Sequence, residues 1–161
     1  MYADNFLIIL ENDSVVLSCD FLQGDQFIIS TNLEGDVSVI SINDNMNIVR
    51  HETITDTHLK TNTAFCSHTI KNPNKDTGVF LVGSENKHIT KYNFDFRDYT
   101  FERVGSFFGH SHSVRSVSTN KDTSRLLSTC EDHSLRIWNY DNYEALTILS
   151  GHKDNVVCFN R

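Results

Sequence analysis

The dipeptide Gly109-His110 returns as Gly151-His152 forty-two residues later, and a period of this size constrains the chain more than any local propensity does. A fixed period means one supersecondary unit copied along the sequence, with each copy too small to bury its apolar face alone. Between the two pairs lie a polar turn, Glu131-Asp132-His133, and an alternating run, Ser134-Leu-Arg-Ile-Trp138-Asn139. The window Ser128-Thr-Cys-Glu-Asp-His-Ser-Leu-Arg-Ile-Trp138 aligns without gaps on Val82-Gly-Ser-Glu-Asn-Lys-His-Ile-Thr-Lys-Tyr92, and again on Ser30-Thr-Asn-Leu-Glu-Gly-Asp-Val-Ser-Val-Ile40. Each copy reads as an apolar strand, a polar turn and an alternating strand that ends in a bulky residue. That period of two indicates a half-buried antiparallel hairpin.

Outer strands flank each hairpin. Val114 and Val117 mark the first strand of the third copy, Val16 and Cys19 that of the first, and Val156 and Phe159 stand at matching offsets from the second Gly-His pair. The runs Phe101 to Phe108 and Ala145 to Leu149 read as strands preceding each Gly-His. Segments 42–62 and 70–78 are polar, include Pro73, and read as loops. Eleven Phe and five Tyr beside one Pro suit strands joined by polar turns. The expectation is an all-β chain with repeats at about 6–51, 52–110 and 111–152, a leading strand near Phe6 to Leu10, and a further repeat opening at 153–161.

The formal charge of −7 opposes binding to a phosphate backbone and suits a basic peptide. Met1-Tyr-Ala-Asp-Asn lacks the basic segment of a signal peptide, and the apolar run Phe6 to Leu10 is too short to span a bilayer. A soluble protein, cytoplasmic or nuclear, is expected. Cys19, Cys66, Cys130 and Cys158 are widely spaced without a paired C-x-x-C, which favours free thiols in a reducing compartment over disulfides or a zinc site.

The third copy resembles the WD-repeat family, whose period of about 40–45 residues carries Gly-His and Trp-Asp signatures. The resemblance implies a partial WD-type beta-propeller of about three and a half four-stranded antiparallel blades. It also implies a buried tetrad of His110, Ser128, Asp132 and Trp138, with Asn139 where the family most often has Asp. Ser, His and Asp together also raise a nucleophilic triad, but Ser128 lies in an apolar run with no G-x-S-x-G elbow, so no enzyme activity and no cofactor is expected. The first two copies depart from the pattern: Tyr92 and Ile40 hold the Trp position, and Asn86 and Glu34 the Asp position. Apolar packing alone is expected to hold those units. His110 and His112 are spaced like a zinc pair without a third ligand nearby, so no metal site is expected.

Propellers present partners at the turns of a rigid disc. Candidate partner-binding residues are therefore Ser111, His112, Ser113, Glu131, His133, Glu85, Lys87, Leu33 and Glu34. Acidic turns would attract Lys- or Arg-rich segments such as histone tails. The run from Leu126 to Asn139, followed by Gly-His-Lys-Asp at 151–154 and with the gap from Lys71 to Gly78 before it, is similar to the embryonic ectoderm development type of Polycomb propeller. That likeness implies a chromatin scaffold binding a methyltransferase subunit and trimethyl-lysine, for which an aromatic cage is needed; Phe65 is the one aromatic near a corresponding strand. A propeller subunit of another assembly, such as the translation-initiation scaffold, and an accessory domain of an enzyme remain open. So does self-association to complete a ring.

Overall fold

The computed structural model describes residues 14–22, 26–45, 48–54, 62–70 and 76–157. Within them, twelve strands form three four-stranded antiparallel sheets, each a meander in chain order. The first blade holds β1 (Val16–Leu22), β2 (Phe27–Asn32), β3 (Val37–Ile42) and β4 (Ile48–Ile54). The second holds β5 (Ala64–Ile70), β6 (Thr77–Ser84), β7 (Ile89–Asp95) and β8 (Thr100–Phe107). The third holds β9 (Val114–Thr119), β10 (Arg125–Cys130), β11 (Ser134–Asn139) and β12 (Ala145–Ser150). The chain is all-β, a partial propeller, as its repeat predicts. The leading strand expected near Phe6 to Leu10, Pro73, Cys158 and Phe159 lie outside the described residues. Residues 153–157 belong to no strand, although the Val156 N–H reaches the Cys130 carbonyl at 3.3 Å.

Alternation along each strand gives every sheet two apolar faces, and the core sits between successive blades. Ile29, Val37 and Val39 of the first blade meet Phe80, Val82, Tyr92 and Phe94 of the second in one buried cluster. Leu81 and Ile89, on the other face of the second blade, meet Val114, Leu126 and Trp138 of the third. At about 25 cal/mol per Å² of apolar surface, these two seams are the main source of stability.

The three aligned windows superpose in backbone detail. Gly35, Lys87 and His133 occupy the same aligned position, and all have positive φ, 88°, 72° and 63°. Leu33, Glu85 and Glu131, again equivalent, each donate their N–H to the residue just before the blade's first strand, at 3.0, 2.9 and 3.1 Å. The side chain that caps the turn varies. Asp132 accepts from Ser134 N–H, Asn86 from His88 N–H, and in the first blade the job falls to Asn32, which accepts from Glu34 and Asp36 N–H. The Asn-x-x-Gly spacing of residues 32–35 is the signal for that Asx turn.

Two expectations are corrected. The segment 42–62 is not all loop, because β4 occupies Ile48–Ile54. Arg50 and Glu52 disguise it, yet an outermost strand has one edge and much of its surface in water and needs little apolar content once β3 supplies the ladder. Apolar packing alone does not hold the first two blades either. Their innermost strands, β1 and β5, are stitched by Ser18 to Ser67 at 3.1 Å and by Asp20, which accepts from both the N–H and the hydroxyl of Thr69 at 2.9 and 2.8 Å. His68 Nε2 in turn accepts from the Thr119 N–H at 3.2 Å and lies 3.1 Å from its hydroxyl, joining β5 to β9.

The second and third blades approach closely at Gly83. A methyl group there would stand 2.6 Å from Cys66 Sγ and 2.8 Å from Val114 Cγ1. Gly83→Ala should therefore cost about 1–3 kcal/mol by overpacking, read from the shift in urea midpoint at unchanged slope.

Candidate functional site

The densest set of interacting polar groups lies at one end of the third blade, where Gly109-His110 enters beside the β10–β11 turn. Gly109 has φ +148°, and a methyl group on it would stand 2.7 Å from Arg136 Nη1, so the position requires glycine. His110 follows with its ring buried against Trp138, the centroids 5.7 Å apart. Trp138 Nε1–H donates to Ser128 Oγ at 2.8 Å, and Ser128 Oγ lies 2.7 Å from His110 Nε2. His110 Nδ1 lies 2.9 Å from Asp132 Oδ2, which also accepts from the Ser111 N–H at 3.1 Å. His110, Ser128, Asp132 and Trp138 thus form one continuous chain of bonds.

The two ends of that chain fix its protons. The indole donates to Ser128 at one end, and at the other the ionised Asp132 carboxylate can only accept, so Nδ1–H points to the carboxylate and the neutral ring takes the Ser128 hydroxyl hydrogen at Nε2. The imidazole is neutral in this arrangement. Burial lowers the pKa of His110, opposed by its hydrogen bond and charge interaction with Asp132. For Asp132, burial alone would raise the pKa, but bonds from Ser134, His110 and Ser111 outweigh it and hold the carboxyl well below its ordinary range. Ser128 and Trp138 are 0% exposed. No substrate can reach that hydroxyl, so the resemblance to a nucleophilic triad has no chemical counterpart.

His110, Cys130 and Asp132 bring donor atoms within 4.8 Å of one another, a grouping compatible with a metal ion. Each donor is already committed. Cys130 Sγ accepts from Asp132 N–H at 3.3 Å and donates to the His112 carbonyl at 3.1 Å, and burial pushes its thiol up to about 11, so it stays protonated.

The turn residues separate into two kinds. Leu33, Glu34, Glu85, Lys87, Ser111, His112 and His133 are exposed, and Ser113 is half-buried. Glu131 is half-buried and bonded to Arg115, whose guanidinium holds the carboxyl below its ordinary pKa. Arg115 in turn lies 3.6 Å over the ring of Phe65. The aromatic flagged as a cage candidate is therefore covered by the protein's own cation. An aromatic pair, Tyr140 and Tyr143, holds Lys91 Nζ at 4.0 and 5.9 Å. Sequence reasoning missed Phe108, which stands 60% exposed against His88 just before the Gly-His step. Its position at the end of a strand run hid it.

Residues 101–139 match the family model described as WD domain, G-beta repeat. That stretch, from β8 through β11, carries one WD repeat. A ribosome biogenesis protein WDR12 homolog of Caenorhabditis briggsae is 36% identical over 69 residues, 43% of this chain and 15% of that protein. Polycomb protein esc of Drosophila melanogaster is 32% identical over 60 residues, 35% of this chain and 14% of that one. The chain therefore spans a small fraction of the curated relatives it matches. A structure titled "Structure of U3-55K" superposes with a TM-score of 0.68 at 16% identity, covering 89% of this chain and 42% of the other. That likeness is one of fold and takes in most of the chain.

Proposed function

We propose that this WD-repeat protein is a non-catalytic scaffold that holds partner proteins on the end of the propeller where its three hairpin turns emerge. The carrying observation is the shared backbone of those turns. Each is fixed by an Asx-type cap and a left-handed residue, while its side chains at Leu33, Glu34, Glu85, Lys87 and His133 remain in water. β1, β5 and β9 lie side by side in one direction, so the turns share one end of the fold. Rigid backbone with solvent-exposed side chains is what recognition with little ordering cost requires.

The acceptor on this end is best suited to a basic segment. Glu34 and Glu85 are exposed, whereas Glu131 is paired with Arg115 and belongs to the blade. Phe108 and Leu33 add apolar contact area. A net charge of −7 favours the protein components of an assembly over its nucleic acid. Histone tails are one basic class, and Polycomb relatives favour them; a ribosome biogenesis relative favours the basic proteins of pre-ribosomes. Either reading implies a nuclear or cytoplasmic protein. Co-purification separates them, with chromatin proteins supporting the first and ribosomal proteins the second.

Glu34→Lys combined with Glu85→Lys is expected to weaken binding of a Lys- and Arg-rich histone-tail peptide about tenfold or more, a loss of roughly 1.4 kcal/mol, while leaving the melting temperature unchanged. Calorimetric titration showing equal affinity for wild type and double variant would remove the turns from the binding surface.

A further inference from the structure

Two residues before the bulky end of each aligned window stand Ser38, Thr90 and Arg136. The register sets them opposite Thr53, Ser106 and Ile148 on the outermost strand of the same blade. In the first two blades the pair closes on itself, hydroxyl to hydroxyl, at 3.2 and 3.5 Å. In the third the opposite residue is an alkyl group, which offers the guanidinium no acceptor. The Arg136 side chain is only 14% exposed, and its Nε is buried without a hydrogen-bond partner among the described residues. Asp132 Oδ2 stands 3.7 Å from Nη2, beyond hydrogen-bond reach, and already accepts from His110 and Ser111. A cation held this way is costly until an acceptor meets it. Arg136 shares its face with Ser128 of the tetrad, so it looks toward the second blade, and a blade following the third could not cover it.

We infer that Arg136 receives a carboxylate from a partner protein, an Asp or Glu side chain carried on an extended segment between aliphatic residues. The aliphatic flanks follow from the rim around it. Ile148 is 55% exposed, and Phe108 stands open just before Gly109, whose backbone lies against the guanidinium. β12 carries no charge from Ala145 to Ser150, whereas β4 has Arg50 and Glu52, and β8 has Glu102 and Arg103. Such charges ordinarily guard an outermost strand against pairing with another chain, and β12 lacks them. Asp132 selects among acids: a singly charged carboxylate balances the guanidinium, but the second charge of a phosphate would be set against Asp132. This site is independent of the turn end assigned to a basic partner, because it asks for the opposite charge.

The first test needs no partner. Ile148→Glu puts a carboxylate opposite Arg136, where Thr53 and Ser106 stand in the other blades, and should raise the melting temperature by about 2–4 °C. The same change in an Arg136→Met background should give no rise. The second test selects random decapeptides displayed on phage against the immobilised chain. Those enriched should carry an Asp or Glu between aliphatic residues. Converting that acid to its amide, or Arg136 to Met with Trp138 fluorescence unchanged, should weaken binding about tenfold or more; the amide peptide keeps the test usable if Arg136→Met fails to fold. Ile148→Glu should block the peptide, phosphoserine in place of the acid should bind more weakly, and Glu34→Lys with Glu85→Lys should not weaken binding. Absence of the rise in Ile148→Glu, the same rise without Arg136, a selection yielding no acid-bearing peptide, equal binding of the acid and amide peptides, tighter binding of the phosphoserine form, or a peptide lost in the Glu34, Glu85 double variant would each overturn the assignment.

Discussion

Trp138→Ala will lower the unfolding free energy by about 3–5 kcal/mol, a large part of the 5–15 kcal/mol typical of a folded domain. Two losses combine. The indole is 0% exposed and packs edge-on against Phe107 at 5.8 Å and His110 at 5.7 Å, so truncation leaves a cavity on the seam between the second and third blades. It also removes the donor that orients the Ser128 hydroxyl. Trp138→Phe separates the effects, since it restores most of the volume and none of the hydrogen bond. Urea denaturation followed by circular dichroism measures both variants; wild-type midpoints for Trp138→Ala would mean that the tetrad does not cement the blade.

The second large effect is an acid loss of stability centred on His110. Its folded pKa lies below the ordinary value of about 6.5. The stability that the neutral imidazole contributes is therefore complete above the unfolded value and is lost as pH falls below it. Protonation puts a second N–H against Ser128, whose own hydroxyl hydrogen then has no acceptor. Asp132, also depressed, acts in a lower window: its contribution is present above about 3.9 and fades as pH falls through its folded value. Denaturant midpoints should fall between about pH 7.5 and about pH 5, and the fall should be shallower in His110→Asn. His110→Ala should cost about 1–3 kcal/mol for each buried group left unpaired. Equal pH slopes in wild type and His110→Asn would assign the acid sensitivity elsewhere.

What the sequence discloses about this fold is whatever repeats locally. The ungapped alignment of three windows predicted equivalent turns, and Gly35, Lys87 and His133 carry the same unusual backbone angle. The four residues bonded in the third blade stood in the sequence at the spacings of a family pattern. Contacts that depend on distant partners were silent. Asp20 and Thr69 are 49 residues apart, and His68 and Thr119 are 51 apart; nothing in either neighbourhood announces the other. The pairing of Glu131 with Arg115 was hidden for the same reason, so one of the acidic turn residues is structural. β4 was missed because its stability comes from the strand beside it and not from its own composition.

The stitches between innermost strands fix how far each blade stands along the next. Bare apolar faces are interchangeable and tolerate slippage by a pair of residues, but an aspartate on β1 meets Thr69 of β5, and an imidazole on β5 meets Thr119 of β9. A chain assembled by copying a single module is thereby held in step. Sliding one module past its neighbour by two residues would leave the seam well greased yet wrongly keyed.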